Sequence, residues 1–170
     1  MRVLFVLMLL AWSSLSHADI YLESQVFVQQ QFSGHPPQPQ VIWLNGELKA
    51  KLAGVLQHKY TGLRIRYWQG EENGLQTVWV LNEIGKEKNI TVGITVAQDS
   101  IKTLQVLAFR ESRGWEVKHG FFTRQFVSMF LKKDMQLSGH IDGITGATMS
   151  VRAVKKLAKV ALLLHSEVQQ

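Results

Sequence analysis

The chain has 170 residues, a formal net charge of +6, 46% hydrophobic residues and no cysteine. This apolar content excludes an intrinsically disordered protein, and the length fits one domain rather than several. The lack of cysteine excludes a disulfide scaffold, a cysteine-ligated metal centre, a thiol enzyme and a lipoprotein anchored through an N-terminal cysteine.

The first residues have the pattern of a secretory signal peptide. Arg2 supplies a positive charge, residues 3–12 form an apolar run, and Ser16 and Ala18 place small residues at −3 and −1 of a cleavage site. The alternative is a membrane anchor, but that run is short of the roughly 20 apolar residues that span a bilayer. We expect cleavage after Ala18 and a mature chain, residues 19–170, in the periplasm.

Two helices are predicted in the first part of the mature chain. Residues 19–32 mix apolar residues and glutamines at helical spacing, and the proline-rich residues 34–39 indicate a loop. After a short apolar run at 41–44, Asn45 is a candidate N-cap for a second helix that ends near Gln57. The apolar stripe of that helix consists of Leu48, Leu52, Val55 and Leu56.

The middle of the chain is predicted to form strands. Residues 63–68, 90–96 and 101–109 alternate between apolar and polar side chains, and residues 75–81 are rich in valine, threonine and tryptophan. Asn73-Gly74 is a hairpin signal between the first two strands. We expect an antiparallel sheet of at least four strands with one packed face.

The last third changes to a helical period. One predicted helix has apolar residues at Phe122, Phe126, Met129 and Phe130. A closing helix is predicted over residues 149–166. Strands followed by helices indicate an α+β fold, in which the helices pack on one face of the sheet. We expect one domain over residues 19–170.

The segment 142–150 holds the residues most indicative of chemistry. Gly143 and Gly146 allow a sharp turn and a close approach of a bulky group to the backbone. Thr148 lies where the closing helix begins, and free N–H groups at a helix N-terminus favour a phosphate. Asp142 is a candidate to hold the loop or to position a metal. The same residues also fit an ordinary glycine turn with Thr148 as the N-cap.

This segment, Asp-Gly-Ile-Thr-Gly-Ala-Thr-Met-Ser, resembles the flavinylation motif of the FMN-binding domain family. Members include subunits of the sodium-pumping NADH:quinone oxidoreductase and small exported proteins. The resemblance implies that FMN is joined through its phosphate to the hydroxyl of Thr148, by a flavin transferase that uses FAD as donor. It also assigns to the cofactor site Asp142, Gly143, Thr145, Gly146, Ala147 and Ser150, with Thr145 where many members have serine.

A second stretch, Glu111-Ser112-Arg113-Gly114, resembles the Glu-x-x-Gly turn of the family, so the resemblance covers about residues 89–165. Members in redox complexes usually have Glu-Thr-Pro-Gly at this turn. We expect Glu111 to order the turn, Arg113 to stabilise the reduced flavin ring, and Trp115 to stack on it. For each of these three residues, an ordinary surface or core role is the alternative.

The resemblance implies an exported flavoprotein that transfers electrons, with a membrane reductase or a cytochrome as its partner. Whether the protein is itself an enzyme stays open, and we expect no catalytic residue, no metal site and no nucleic-acid partner. One alternative is a module that binds flavin or a phosphorylated ligand without a bond and without a redox role. Another is a basic protein that docks through the stripe formed by Arg152, Lys155, Lys156 and Lys159.

Overall fold

The structure is a computed structural model that describes residues 19–71 and 74–169. The expected signal peptide, residues 1–18, and Asn73 of the hairpin signal lie outside the described residues. The elements in chain order are β1 (Asp19–Ile20), α1 (Ser24–Gln31), β2 (Gln40–Trp43), α2 (Gly46–Leu56), β3 (Arg64–Gly70), β4 (Gln76–Ile84), β5 (Asn89–Ala97), β6 (Ser100–Phe109), α3 (Gly120–Thr123) and α4 (Thr148–Val168). Short 3₁₀ turns lie at Trp115–Lys118 and Arg124–Phe126.

The strands form one antiparallel sheet in the order β1-β6-β5-β4-β3-β2. From β3 to β6 each strand pairs with the next strand in the chain, as expected for successive hairpins. The pairing of β5 with β6 shifts register between Thr91 and Val92 and again between Thr95 and Val96. The predicted α+β class and the antiparallel sheet of at least four strands are confirmed.

The larger core lies between one face of the sheet and the helices α2 and α4. Trp79 of β4 is fully buried there, and its ring stacks on Tyr67 of β3 with centroids 4.8 Å apart. The predicted inner face of the closing helix is buried as expected, at Val151, Val154, Ala158, Ala161, Leu162 and His165. This burial holds α4 against the sheet and determines where its N-terminus lies.

The opposite face of the sheet is also covered, so the expectation of helices on one face is incomplete. Phe27 of α1 is fully buried, and a Cβ on Gly93 of β5 would come within 2.5 Å of its ring. On the same face, Thr95 is fully buried and donates from Oγ1 to Gln31 Oε1 at 2.9 Å. Polar residues in alternate positions of β5 therefore do not mark a solvated face, because their hydroxyls bond to other side chains.

The N-terminus of α2 follows the prediction. Asn45 is the N-cap, and its Oδ1 accepts the Leu48 N–H at 2.8 Å. The helix ends at Gln57, which takes a left-handed conformation as C-cap.

The single helix predicted through Phe122 and Phe130 is wrong. Helix α3 ends at Thr123, a 3₁₀ turn follows to Phe126, and Ser128 has φ +65°. The chain then runs beside β6, where the Ser128 N–H donates to Ile101 O and the Ile101 N–H to Met129 O. These bonds to a strand edge replace the continuation of the helix, and Phe130 is left half exposed. Within the described residues, no helix is long and apolar enough to cross a bilayer.

Candidate functional site

The N-terminus of α4 opens toward solvent. Thr148 is its first residue and is exposed, and Ala147, which precedes it, is the N-cap and is buried. An alanine has no side-chain acceptor, so no side chain caps this helix end. The turn before it closes through the Ala147 N–H, which donates to Ile144 O at 2.9 Å, and Gly146 takes φ +81°. The interpretation of Thr148 as an ordinary N-cap is therefore wrong.

A cleft of about 570 Å³ lies at this helix end. Its volume falls within the range of about 300–1,000 Å³ that is usual for small-molecule sites. Three segments distant in the chain line it, namely residues 86–87, 111–113 and 146–150. Of the residues that the sequence assigned to a cofactor site, the cleft brings together Glu111, Arg113, Gly146, Ala147, Thr148 and Ser150.

Glu111 holds the β4–β5 turn beside α4. Its Oε1 accepts the backbone N–H groups of Lys86, Glu87 and Lys88 at 2.5, 2.7 and 2.9 Å. A Cβ on Gly85 would lie 2.8 Å from the same oxygen, so the close approach needs a glycine there. Burial acts to raise the pKa of Glu111, but the three N–H bonds outweigh it and lower the pKa below its ordinary value. Glu111 was expected to order its own turn, and its three N–H bonds are the geometry by which it holds the neighbouring β4–β5 turn.

Gly114 lets the Glu-x-x-Gly turn pack directly on the start of α4. It has φ +88°, and an added Cβ would lie 2.6 Å from Ser150 Oγ and 3.2 Å from Ala147 Cβ. Ser150 is buried, so its hydroxyl has little room to move. The turn and the helix end are consequently in fixed register, which places Arg113 on the wall of the cleft.

The cleft combines positive charge with free backbone donors. Lys86 and Arg113 line it, and the first N–H groups of α4 lack partners within the helix. Lys86 Nζ lies 3.3 Å from Glu87 Oε1, but both side chains are largely exposed, and such a pair contributes little. Glu111 is already engaged by three N–H groups. The lining thus holds two cations and two carboxylates. An anion at Thr148 would be favoured by the helix dipole and the free N–H groups, with Arg113 as the lining cation that takes part in none of the ion pairs of the described residues.

The remaining predicted residues lie away from the cleft. Asp142, Gly143 and Thr145 are exposed in the loop before α4. The Asp142 backbone N–H donates to Gln125 Oε1 at 2.8 Å, and its carboxylate lies 3.6 Å from His140 Nε2. The side chain is thus not seen holding the loop, and no cluster of three or more His, Asp or Glu suited to a metal occurs in the part of the chain that is described.

Trp115 begins a 3₁₀ turn beyond Gly114 and does not line the cleft. Its ring meets His119 edge to face at 5.2 Å and lies 5.1 Å from Lys118 Nζ. Stacking of Trp115 on a ligand ring in the cleft stays a prediction, and half of its surface is exposed.

Sequence reasoning did not assign Lys86, Glu87, Ser112 and Met149 to the site. Met149 follows Thr148 directly and lies inside the segment 142–150, so the motif itself was the signal that could have identified it. The β4–β5 turn gave no local signal, because only its bonds to Glu111 bring Lys86 to the cleft.

Thr148 also lines a second cleft, of about 540 Å³, on the α2 side of α4. We call it the basic cleft, and its lining is Val55, Gln57, Gln136, Thr148, Val151, Arg152, Lys155, Lys156 and Lys159. Thr148 thus stands between two depressions, one with the Glu111 turn and one with four cations.

Comparison with known proteins bears on the first cleft. Comparisons with curated proteins and with solved structures each found no match. Residues 85–163 match the model of a family described as the FMN-binding domain. That range contains Lys86, the Glu111 turn and the whole Thr148 segment. The segment 85–163 is therefore an FMN-binding domain, and the cofactor of this chain is FMN.

Proposed function

We propose that this protein carries FMN on the hydroxyl of Thr148 and transfers electrons outside the cytoplasm. When bound, FMN supplies reversible oxidation and reduction. The observation that carries the proposal is the position of Thr148, which is exposed at the uncapped start of α4 on a cleft lined by Lys86 and Arg113. A phosphate on its oxygen would meet the N–H groups and the dipole of the helix start, with Lys86 and Arg113 on the wall of the same cleft.

Attachment forms one bond and breaks one. Thr148 Oγ bonds to the phosphorus of the FMN half of FAD, and the bond from that phosphorus to the adenylate oxygen breaks. The hydroxyl proton leaves Thr148 and AMP departs, so the step involves no oxidation or reduction. Thr148 is exposed, which gives a flavin transferase access to its oxygen.

The surrounding residues have separate roles in this proposal. The N–H groups at the start of α4 and Lys86 face the phosphate, while Glu111 keeps the Lys86 turn in place. Arg113 on the same wall stabilises negative charge on the reduced ring and so raises its potential. Gly114 fixes the register between these groups and Thr148.

Export is supported by the signal-peptide pattern of residues 1–18. A covalent bond suits that location, because a flavin that dissociates outside the cytoplasm cannot be recovered by the cell. The partners are then a flavin transferase, with FAD as donor, and a membrane reductase or a cytochrome. Export and cleavage are tested by cell fractionation and N-terminal sequencing, and the protein should be periplasmic and begin at Asp19. Retention of Met1 on a membrane-bound chain would contradict cleavage, and recovery of the protein in the cytoplasm would contradict export.

The attachment is tested by intact mass and visible absorbance after co-expression with a flavin transferase in the export compartment. Wild type should gain the mass of FMN less one water and keep its yellow colour in denaturant. Thr148→Val should gain no mass. Thr61→Val is the control, because Thr61 is an exposed threonine outside the motif and outside the cleft, and it should still be flavinylated.

Two results would contradict the attachment. A wild-type chain that binds FMN but loses its colour in denaturant, under conditions that flavinylate a positive control, is a non-covalent flavin module. Mass gain in Thr148→Val but not in Thr145→Val moves the attachment to Thr145.

Electron transfer is tested separately, by anaerobic reduction with dithionite and reoxidation by ferricyanide. A bound flavin that is not reduced and reoxidised in this way would exclude the redox role.

A further inference from the structure

The basic cleft has an excess of positive charge beside the flavin site. Four cations line it, at Arg152, Lys155, Lys156 and Lys159, and its lining contains no carboxylate. They recur at i, i+3, i+4 and i+7 of α4, so they lie along one face of that helix. The remaining lining residues named above are uncharged.

Two of these cations are not neutralised. Among the ion pairs of residues 19–71 and 74–169, none involves Arg152 or Lys155. Lys156 is partly balanced, since its Nζ lies 3.5 Å from Oε1 of the buried Glu83. Burial and the charge of Lys155 lower the pKa of Lys159, although Asp134 opposes this shift. Like charges are therefore crowded along the basic cleft.

Lys51 on α2 shows how a lysine of this protein is balanced where carboxylates lie nearby. Lys51 on α2 lies 3.1 Å from Glu47 and 2.8 Å from Glu167, and hydrogen bonds to these two carboxylates raise its pKa. The lining of the basic cleft, which includes Arg152 and Lys155, holds no comparable carboxylate. Unbalanced charge in a depression attracts an anionic group from outside the chain.

We propose that the basic cleft docks an acidic surface of the protein that exchanges electrons with the flavin. Thr148 lines both this cleft and the first cleft, which contains Glu111 and Arg113 and which we call the flavin cleft. A partner seated in the basic cleft therefore lies next to the cofactor. This inference rests on the proposed attachment of FMN to Thr148. A protein is favoured over a lipid surface, because Val55 and Val151 are the only aliphatic residues in the lining and leave little apolar surface to enter a bilayer.

Docking is tested first without flavin, so that it does not depend on the attachment. The probe is a fluorescein-labelled deca-glutamate peptide, and its binding is followed by anisotropy at low salt. Arg152→Glu with Lys155→Glu should weaken binding about tenfold, since two contacts are replaced by two repulsions. Lys49→Glu with Lys102→Glu changes the net charge equally at positions outside the basic cleft and should leave binding within about twofold. Equal weakening in both double variants would overturn the proposal.

Vesicles of phosphatidylglycerol distinguish the other source of negative charge. Both wild type and Lys49→Glu/Lys102→Glu should bind the peptide more tightly than they bind the vesicles. Vesicle binding that is lost in Arg152→Glu/Lys155→Glu, with no specific peptide binding, would assign the surface to the membrane and overturn the proposal. In flavin-loaded protein, saturating peptide should slow reoxidation by ferricyanide several-fold, because both anions compete for one positive region. An unchanged rate would separate the basic cleft from the flavin and overturn the link to electron exchange.

Discussion

Three glycines near Thr148 differ in what an added methyl group would meet, and this difference makes a graded test of the site. Gly143 has nothing within 4 Å of an added Cβ and no positive φ. Gly146 also has open space but takes φ +81°. Gly114 takes φ +88° and in addition meets Ser150 Oγ at 2.6 Å, Ser150 Cβ at 3.3 Å and Ala147 Cβ at 3.2 Å.

The expected losses of unfolding free energy follow from these contacts. Gly143→Ala should be neutral or stabilise by up to about 1 kcal/mol, because alanine restricts the unfolded chain. Gly146→Ala should destabilise by about 1–2 kcal/mol from left-handed strain alone. Gly114→Ala should lose about 3 kcal/mol, because overpacking against the start of α4 adds about 1–3 kcal/mol to the same strain.

Urea unfolding of the flavin-free protein measures this series, with the m-value checked for constancy. Adding Ser150→Gly to Gly114→Ala removes both Ser150 contacts and should recover most of the overpacking part, since only the Ala147 contact at 3.2 Å remains, but not the strain. Equal losses in Gly114→Ala and Gly146→Ala would refute the close packing of the Glu111 turn on α4. The packing would also be refuted if Gly114→Ala cost as much free energy of unfolding in the Ser150→Gly background as it does in wild type.

Three further predictions concern the turn, a buried carboxylate and the broken helix. Glu111→Ala should lower the free energy of unfolding by about 2 kcal/mol in urea, by removing the acceptor of three N–H groups. Because the pKa of Glu111 is lowered in the folded protein, the stabilisation from its carboxylate is present above the ordinary pKa and is lost as pH falls through the pKa in the folded protein. If the difference in free energy of unfolding between Glu111→Ala and wild type does not shrink in acid, these bonds are not the cause. His58 bonds to Glu83 through Nε2 at 3.1 Å, and this bond raises the pKa of His58. The bond contributes fully below about pH 6.5, and its contribution is lost as pH rises through the pKa of His58 in the folded protein. His58→Ala should therefore be more destabilising at pH 6 than at pH 9 in urea titrations. A difference in stability from wild type that does not depend on pH would contradict this. Phe126 is fully buried against Phe122, so Phe126→Ala should lower the free energy of unfolding by about 3–5 kcal/mol. Phe130→Ala should change it by no more than about 0.5 kcal/mol. Similar losses in urea unfolding would instead support one continuous helix that buries both rings.

Local sequence predicted those elements whose stability is local. The cap of α2 needs only Asn45 and the Leu48 N–H three residues later, and the strands β3 to β6 pair with their neighbours in the chain. The closing helix was also found, because its apolar stripe persists over many turns.

Helical spacing misled where a distant strand edge competed for the backbone. Residues 122–130 have apolar side chains at helical spacing, yet the chain leaves the helix and bonds to Ile101. Periodicity correctly indicated that Phe122 and Phe126 are buried, but Phe130 of the same pattern is half exposed. Periodicity does not report where the N–H groups of Ser128 and the residues after it find partners.

By itself, the sequence determined the α+β class and most of the strands, since these follow from patterns of polar and apolar residues within each segment. It also indicated Thr148 as the candidate for the cofactor bond, since the motif and the helix after it are contiguous in the chain. Only the tertiary structure showed that α1 covers the second face of the sheet and that Lys86 reaches the flavin cleft through Glu111. It also placed Thr148 between that cleft and the basic cleft. The physical reason is that these features arise from contacts between residues far apart in the chain, and no spacing along the sequence encodes such contacts.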